Sequence, residues 1–321
     1  MPLVSQSEYR APFLFSNRHV QTVYPTLFRK VPGVDYVRER IDMPDGDFVD
    51  LDWSSVGSNR VGIVLHGLEG DSTRAYVAGM VKALNRRRWD AVVFNFRGCS
   101  GECNRRVRFY HSGDTEDLHA VVSHVLSKAK YSELAMIGFS IGGNMVLKYL
   151  GERERKAASL ISKAVALSVP CDLADGAREM DRWFNRLYLK RFLRMLCDKV
   201  RMKALIMPES MDGSGCGRLK NFKQFDDRYT APIHGFASAE DYWEKASCKP
   251  CLPAIRTPTL LISAADDPFL PDSCYPVEEA RANPKIFLEI PKKGGHVGFV
   301  AFNDGGEYWS ESRALAFLEE A

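Results

Sequence analysis

Three side chains far apart in the chain have the types needed for nucleophilic acyl transfer: Ser140, Asp267 and His296. Ser140 lies in Gly138-Phe139-Ser140-Ile141-Gly142, between the apolar run Leu134–Ile137 and the helical stretch Asn144–Leu150. A G-x-S-x-G between a strand and a helix forces a sharp turn and exposes the hydroxyl at the helix N-terminus. A serine hydroxyl is a poor nucleophile at neutral pH and needs an adjacent base, which a third group must orient. His296, in Gly294-Gly295-His296-Val297-Gly298-Phe299, is the candidate base. Asp267, in Ala264-Ala265-Asp266-Asp267-Pro268-Phe269, is the candidate acid.

The elements around these residues can bring them together. Strand-like runs Thr259–Ser263 and Ile286–Ile290 precede the acid and the base, as Leu134–Phe139 precedes the serine. All three would then leave the sheet at strand carboxyl ends, where open α/β sheets carry their sites. Of the two adjacent acids, Asp267 heads the turn into Pro268, leaving Asp266 to cap a turn or face solvent. His19, His111 and His234 also lie in loops, but they precede the acid and read as structural.

Attack on an ester carbonyl places negative charge on its oxygen, and backbone N–H groups aimed there stabilise it by about 3 kcal/mol each. The Ile141 amide is one expected donor. The second is expected from the loop after an early strand, Val64-Leu65-His66-Gly67-Leu68-Glu69-Gly70, with the Leu68 N–H as candidate. No metal or organic cofactor enters this chemistry.

The wider pattern alternates strands and helices, which argues for a mostly parallel central sheet with helices on both faces. Tyr36–Met43 and Asp47–Trp53 form an expected opening hairpin. Strands follow at Val61–His66, Ala91–Phe96, Leu134–Phe139 and Ala164–Val169. Helices are expected near Arg74–Arg88, Thr115–Lys130, Gly142–Gly151 and Tyr308–Glu320, with Asp114 as N-cap of the second.

From Pro170 to about Cys251 the alternation breaks, so the chain divides into a core, 1–170 with 252–321, and an inserted helical cap, 171–251. Within the cap, Arg182–Lys203 carries eight Lys and Arg residues against the single acid Asp198. Phe184, Leu187, Tyr188, Phe192, Leu196 and Val200 recur there at helical spacing. An amphipathic cap helix with a packed and a solvated face is the favoured reading. The alternative is a surface for anionic membranes or substrates. Trp183, Tyr229, Phe236 and Trp243 either line an acyl pocket or pack the core.

Composition narrows the class. With 321 residues, 45% hydrophobic and 26% charged, the chain can bury a large core. A net charge of +3 is too weak to imply nucleic-acid binding. Neither a signal segment nor a membrane-spanning run is visible, and eight scattered cysteines suit a cytoplasmic location with reduced thiols. Cys248-x-x-Cys251 lies in a Lys/Pro loop, Cys99 and Cys103 have no second pair nearby, and His119 and His124 lie on different helix faces. None of these groups reads as a metal or redox site.

Taken together, these motifs resemble the α/β-hydrolase superfamily, most closely the abhydrolase-domain (YheT-like) branch of bacterial hydrolases and eukaryotic lipid esterases. The resemblance rests on Asn17-Arg18-His19-Val20-Gln21-Thr22, the His66 loop, Arg97–Glu102, Tyr110–Gly113, Gly138–Asn144, Ala264–Phe269 and Gly294–Phe299, in order along nearly the whole chain. It implies the α/β-hydrolase fold, Ser140, Asp267 and His296 as charge-relay residues, and a small-molecule ester or lipid substrate. Cys103 stands where the family pattern expects proline, and the membrane anchor of many eukaryotic relatives is not apparent. Related enzymes of halide or epoxide chemistry use Asp where this chain has Ser140. A serine peptidase acting on short peptides and a non-catalytic ligand-binding protein on the same fold are the alternatives.

Overall fold

The computed structural model describes residues 3, 4 and 6–320. Eight strands form one sheet: β1 (Val37–Asp42), β2 (Phe48–Ser54), β3 (Arg60–Leu65), β4 (Asp90–Asn95), β5 (Glu133–Phe139), β6 (Lys163–Leu167), β7 (Thr259–Ile262) and β8 (Ile286–Glu289). Their order is β1-β2-β4-β3-β5-β6-β7-β8. The hairpin β1–β2 and the β2–β4 pair are antiparallel, and the remaining pairs are parallel.

Side chains alternate across the strands, so each face of the sheet has its own core. Ile63, Leu65, Val92, Phe94 and Met136 pack with α3 (Thr115–Ser127) and α4 (Ile141–Leu160). Val64, Val93 and Ile137 face the other way, onto α2 (Ala75–Arg86) and the C-terminal helix Trp309–Glu319. This is the α/β-hydrolase fold, a mostly parallel sheet covered on both faces. A further helix, α1 (Arg18–Phe28), precedes the sheet.

Three local expectations need correcting. Asp114 occupies the N-cap position of α3, but its carboxylate caps nothing and instead takes Arg108 at 2.6 Å. Helix α4 runs past Gly151, breaks at Glu154 (φ 41°, ψ −114°) and resumes to Leu160. Gly151 is required for close approach rather than as a stop, because a Cβ there would meet the Cys251 carbonyl oxygen and lie 2.6 Å from its Cβ. The reading of uniformly reduced thiols fails at one pair: Cys197 and Cys216 are disulfide-bonded, with Cα atoms 5.6 Å apart. The segment after the long helix Arg186–Ile206 doubles back on it, a contact that the 19-residue spacing does not reveal.

Between β6 and β7 lie α5 (Leu173–Met180), α6 (Arg186–Ile206) and several short helices. The α6 stripe that packs inward is Leu189, Leu193, Cys197 and Val200, whereas Leu187, expected on the packed face, is exposed. Two of its basic residues, expected to be solvated, turn inward, Lys203 fully buried and Lys199 partly so. Lys203 donates to the Asn104 and Arg106 carbonyl oxygens, and Lys199 pairs with Glu69 at 2.8 Å.

Candidate active site

Ser140 follows β5 and precedes α4 with φ 53° and ψ −121°, the strained backbone that lifts its side chain off the sheet. The flanking glycines make this turn physically possible. A Cβ on Gly138 would sit 2.5 Å from the Gly142 oxygen, and one on Gly142 would sit 2.7 Å from the Leu65 oxygen. The elbow is fixed by the Ser140 N–H, which donates to Leu167 O at 2.8 Å.

The structure brings the three distant side chains into one line of hydrogen bonds. His296 Nε2 lies 3.1 Å from Ser140 Oγ, and Nδ1 lies 2.9 Å from Asp267 Oδ2. Asp267 is buried, and its Oδ1 accepts the Phe269 N–H at 2.9 Å, which fixes the carboxylate. The Phe269 ring packs 4.4 Å from the imidazole. Asp266, expected to cap or face solvent, is half-buried and accepts the Gly295 N–H at 3.0 Å, so it braces the loop of its neighbour's partner.

Leu68 and Ile141 both border the cavity next to Ser140. Ile141 is the first residue of α4, so its N–H has no intrahelical acceptor and points to the positive end of the helix dipole. The Leu68 loop is held from both sides: Gly67 N–H donates to Tyr76 Oη at 2.9 Å, and Glu69 N–H donates to Tyr110 Oη at 3.0 Å. His66 anchors the loop from beneath. Its Nδ1–H donates to Gly67 O at 2.7 Å and its Nε2 accepts the Phe96 N–H at 3.1 Å, a pattern that only the neutral ring satisfies. Burial pushes His66 down to about 4, in keeping with that form.

A cavity of about 450 Å³ opens over Ser140 and His296. Its walls are largely apolar, with Met180, Phe192, Met195, Phe222, Phe225 and Leu270 among them. Tyr229 and Trp243 line it, but Trp183 is exposed and Phe236 packs against the Tyr242 ring at 5.3 Å. His111 and His234, read as structural, border the cavity with ring centroids 4.7 Å apart. His19 stays outside it, stacked on Tyr188. Among the described residues, no group of three or more His, Cys, Asp or Glu side chains could hold a metal ion.

Several residues that position the site carry no catalytic signature of their own. Thr22 Oγ1 accepts the His296 N–H at 2.9 Å, and Ser168 Oγ accepts the Val297 N–H at 3.0 Å. Helix α1 presses so closely on this loop that a Cβ on Gly295 or Gly298 would lie 2.5 Å from a carbonyl oxygen of Arg18 or Gln21. The Asn17–Thr22 motif was the available signal for this contact, though it did not say which loop the helix would meet. Lys199 and Glu69, 130 residues apart, left no signal in the sequence.

Comparison with known proteins agrees with this architecture. The family described as alpha/beta hydrolase fold matches residues 63–301. The protein named "Putative esterase YheT" from Escherichia coli K12 is 36% identical over 315 residues, covering 95% of this chain and 91% of that one. Phospholipase ABHD3 of Mus musculus is 30% identical, over 93% of this chain and 74% of its own. The solved Pyrococcus furiosus esterase PF2001 superposes with a TM-score of 0.59 at 19% identity, covering 89% of this chain and 91% of that one. The chain therefore belongs to the α/β-hydrolase family, in the abhydrolase-domain branch that includes these esterase and lipase relatives.

Proposed function

We propose that Ser140, His296 and Asp267 are a catalytic triad that cleaves carboxylic esters of short or medium acyl chains or of lipids through an acyl-enzyme. The chain is an ester hydrolase of the esterase and lipase type. The observation that carries the triad assignment is the continuous Oγ–Nε2 and Nδ1–Oδ2 contact at 3.1 and 2.9 Å.

In this reading Ser140 Oγ attacks the carbonyl carbon while His296 Nε2 takes its proton. Asp267 holds the Nδ1–H and stabilises the imidazolium. The Leu68 and Ile141 amides receive the oxyanion, and His296 then protonates the leaving alcohol. Water, activated by the same ring, releases the acid. Residues 171–251 act as the cap, and their apolar side chains in the cavity wall favour an acyl chain over a charged peptide.

The test is Ser140→Ala. The variant should unfold at the wild-type temperature, lose labelling by a fluorophosphonate probe and hydrolyse p-nitrophenyl esters about 10⁴-fold more slowly or worse. Persistent labelling overturns the assignment.

A further inference from the structure

Residues 9–34 and residues 182–197 each contain no Asp or Glu. They are remote in sequence, yet the fold packs them side by side. Arg18 lies over the Phe184 ring at 4.9 Å, and His19 Nδ1 meets Tyr188 Oη at 3.1 Å. The cavity lies beneath this seam, walled by Thr22, Val23 and Thr26 of α1 and by Tyr188, Arg191 and Phe192 of α6. Thr26 and Arg191 are also exposed, which puts an opening of the cavity between the two helices.

Large apolar side chains on these two segments stand in water. Phe13 is 92% exposed, Leu14 78%, Trp183 80% and Leu187 83%. Leu27, Phe28 and Phe302 are exposed as well, the last two joined through the Tyr24 ring. Scattered single apolar residues are ordinary on a protein surface, but several on the two packed segments that wall an apolar cavity mark an interaction site.

Charge decides the partner. On the outward face of α6, Leu187 is flanked by Arg186, Lys190, Arg191 and Arg194. Among the described residues none of these cations, nor Arg18, has a carboxylate within ion-pair distance. A second copy of the same face would bring like charges together. An anionic lipid surface satisfies both features, since its headgroups neutralise the cations while its acyl region takes the apolar side chains.

We infer that the Phe13–Phe28 edge and the first half of α6 form a docking face for anionic phospholipid surfaces, which sets the cavity mouth against the bilayer. This deepens the ester-hydrolase reading and rests on it for the substrate. The sequence alone offered the basic helix as a membrane surface; the fold adds the acid-free N-terminal edge and the position of both at the opening.

The test uses the full chain carrying Ser140→Ala, so that vesicles stay intact, and vesicles of phosphatidylcholine alone or of equal parts phosphatidylcholine and phosphatidylglycerol. The protein should sediment with the mixed vesicles and not with the neutral ones, with a blue shift in tryptophan emission that Trp183→Phe removes. Trp183→Ser with Leu187→Ser should abolish sedimentation. Arg186→Glu with Lys190→Glu should weaken it more than 25-fold, as each basic side chain at an anionic leaflet contributes about fivefold. Hydrolysis of soluble p-nitrophenyl butyrate, measured with Ser140 restored, should be unchanged in every surface variant. No sedimentation with mixed vesicles, sedimentation unaffected by these substitutions, or self-association through this face overturns the docking proposal while leaving the triad untouched. Loss of butyrate hydrolysis on Ser140→Ala, without any vesicle binding by the parent, separates the two readings.

Discussion

The Lys199 ammonium of α6 lies 2.8 Å from Glu69 Oε1, one residue beyond the Leu68 amide, so a residue of the β6–β7 insertion grips the loop that faces the proposed nucleophile. Glu69 is buried and Lys199 largely so, and Lys199 also meets Cys99 Sγ at 3.0 Å. Burial pushes Cys99 up to about 12, so it stays a thiol at neutral pH and Glu69 is the counter-charge. Burial draws the Lys199 ammonium down, and the Glu69 carboxylate beside it acts in the opposite direction. Removing one member of a buried pair strands the other, at a cost of about 3–5 kcal/mol. Lys199→Met should therefore lower the unfolding free energy by about that amount in urea titrations. Lys199→Met with Glu69→Gln should recover most of it, since no charge is then left unpaired. A double variant as unstable as the single one would mean the pair does not act as a unit.

Thr22 supplies the acceptor for the His296 N–H, and its own hydroxyl hydrogen goes to Arg18 O at 2.8 Å. Thr22→Val keeps the shape and removes both bonds. Small displacements of a catalytic group are costly, on the order of 100-fold for 1 Å. We expect kcat for a soluble ester to fall by about 10- to 100-fold with KM nearly unchanged, and Thr22→Ser to restore it. A KM effect alone would assign Thr22 to substrate contact instead.

Much of this arrangement was legible in the sequence because it depends on local chemistry. The Gly138–Gly142 turn, the strand preceding Asp267 and the glycines around His296 announce themselves by residue type and periodicity. The departures have long-range causes. Lys199 and Lys203 look like solvated helix charges until Glu69 and the Asn104 carbonyl are brought under α6 by the fold. The expected helix ends at Gly151, yet its missing Cβ makes room for Cys251, a hundred residues later. Asp114 has a capping residue's identity and position, but Arg108 offers it a stronger, charged partner.

Gly142 of α4 and Gly176 of α5 should respond oppositely to the same substitution. A methyl on Gly142 would meet the Leu65 and His66 backbone oxygens, which cannot yield without moving β3, whereas one on Gly176 meets only Pro170 Cβ at an ordinary 3.5 Å. Gly142→Ala should cost about 1–3 kcal/mol and abolish fluorophosphonate labelling by displacing the elbow. Gly176→Ala should stabilise α5 by up to about 1 kcal/mol, since alanine is the better helix former. Thermal unfolding of the two variants against the parent separates these outcomes.

Asp226 gives the protein a pH dependence of predictable sign. It is buried in the cavity wall, accepting Trp243 Nε1–H at 2.8 Å and the Thr230 hydroxyl at 2.6 Å, and burial without a cation pushes it up to about 7. Because the folded value exceeds the unfolded one, the folded chain holds a proton that the unfolded chain has lost. The stabilisation is complete below the unfolded value near 4 and disappears as pH rises through 7. Asp226→Asn has no charge to bury, so its stability relative to wild type should climb from pH 4 to 7 and then level off. At about 1.4 kcal/mol per unit, the total change is roughly 4 kcal/mol. Urea titrations of both proteins at pH 5, 6, 7 and 8 would show the divergence, and a constant difference across that range would mean that Asp226 ionises as freely in the fold as out of it.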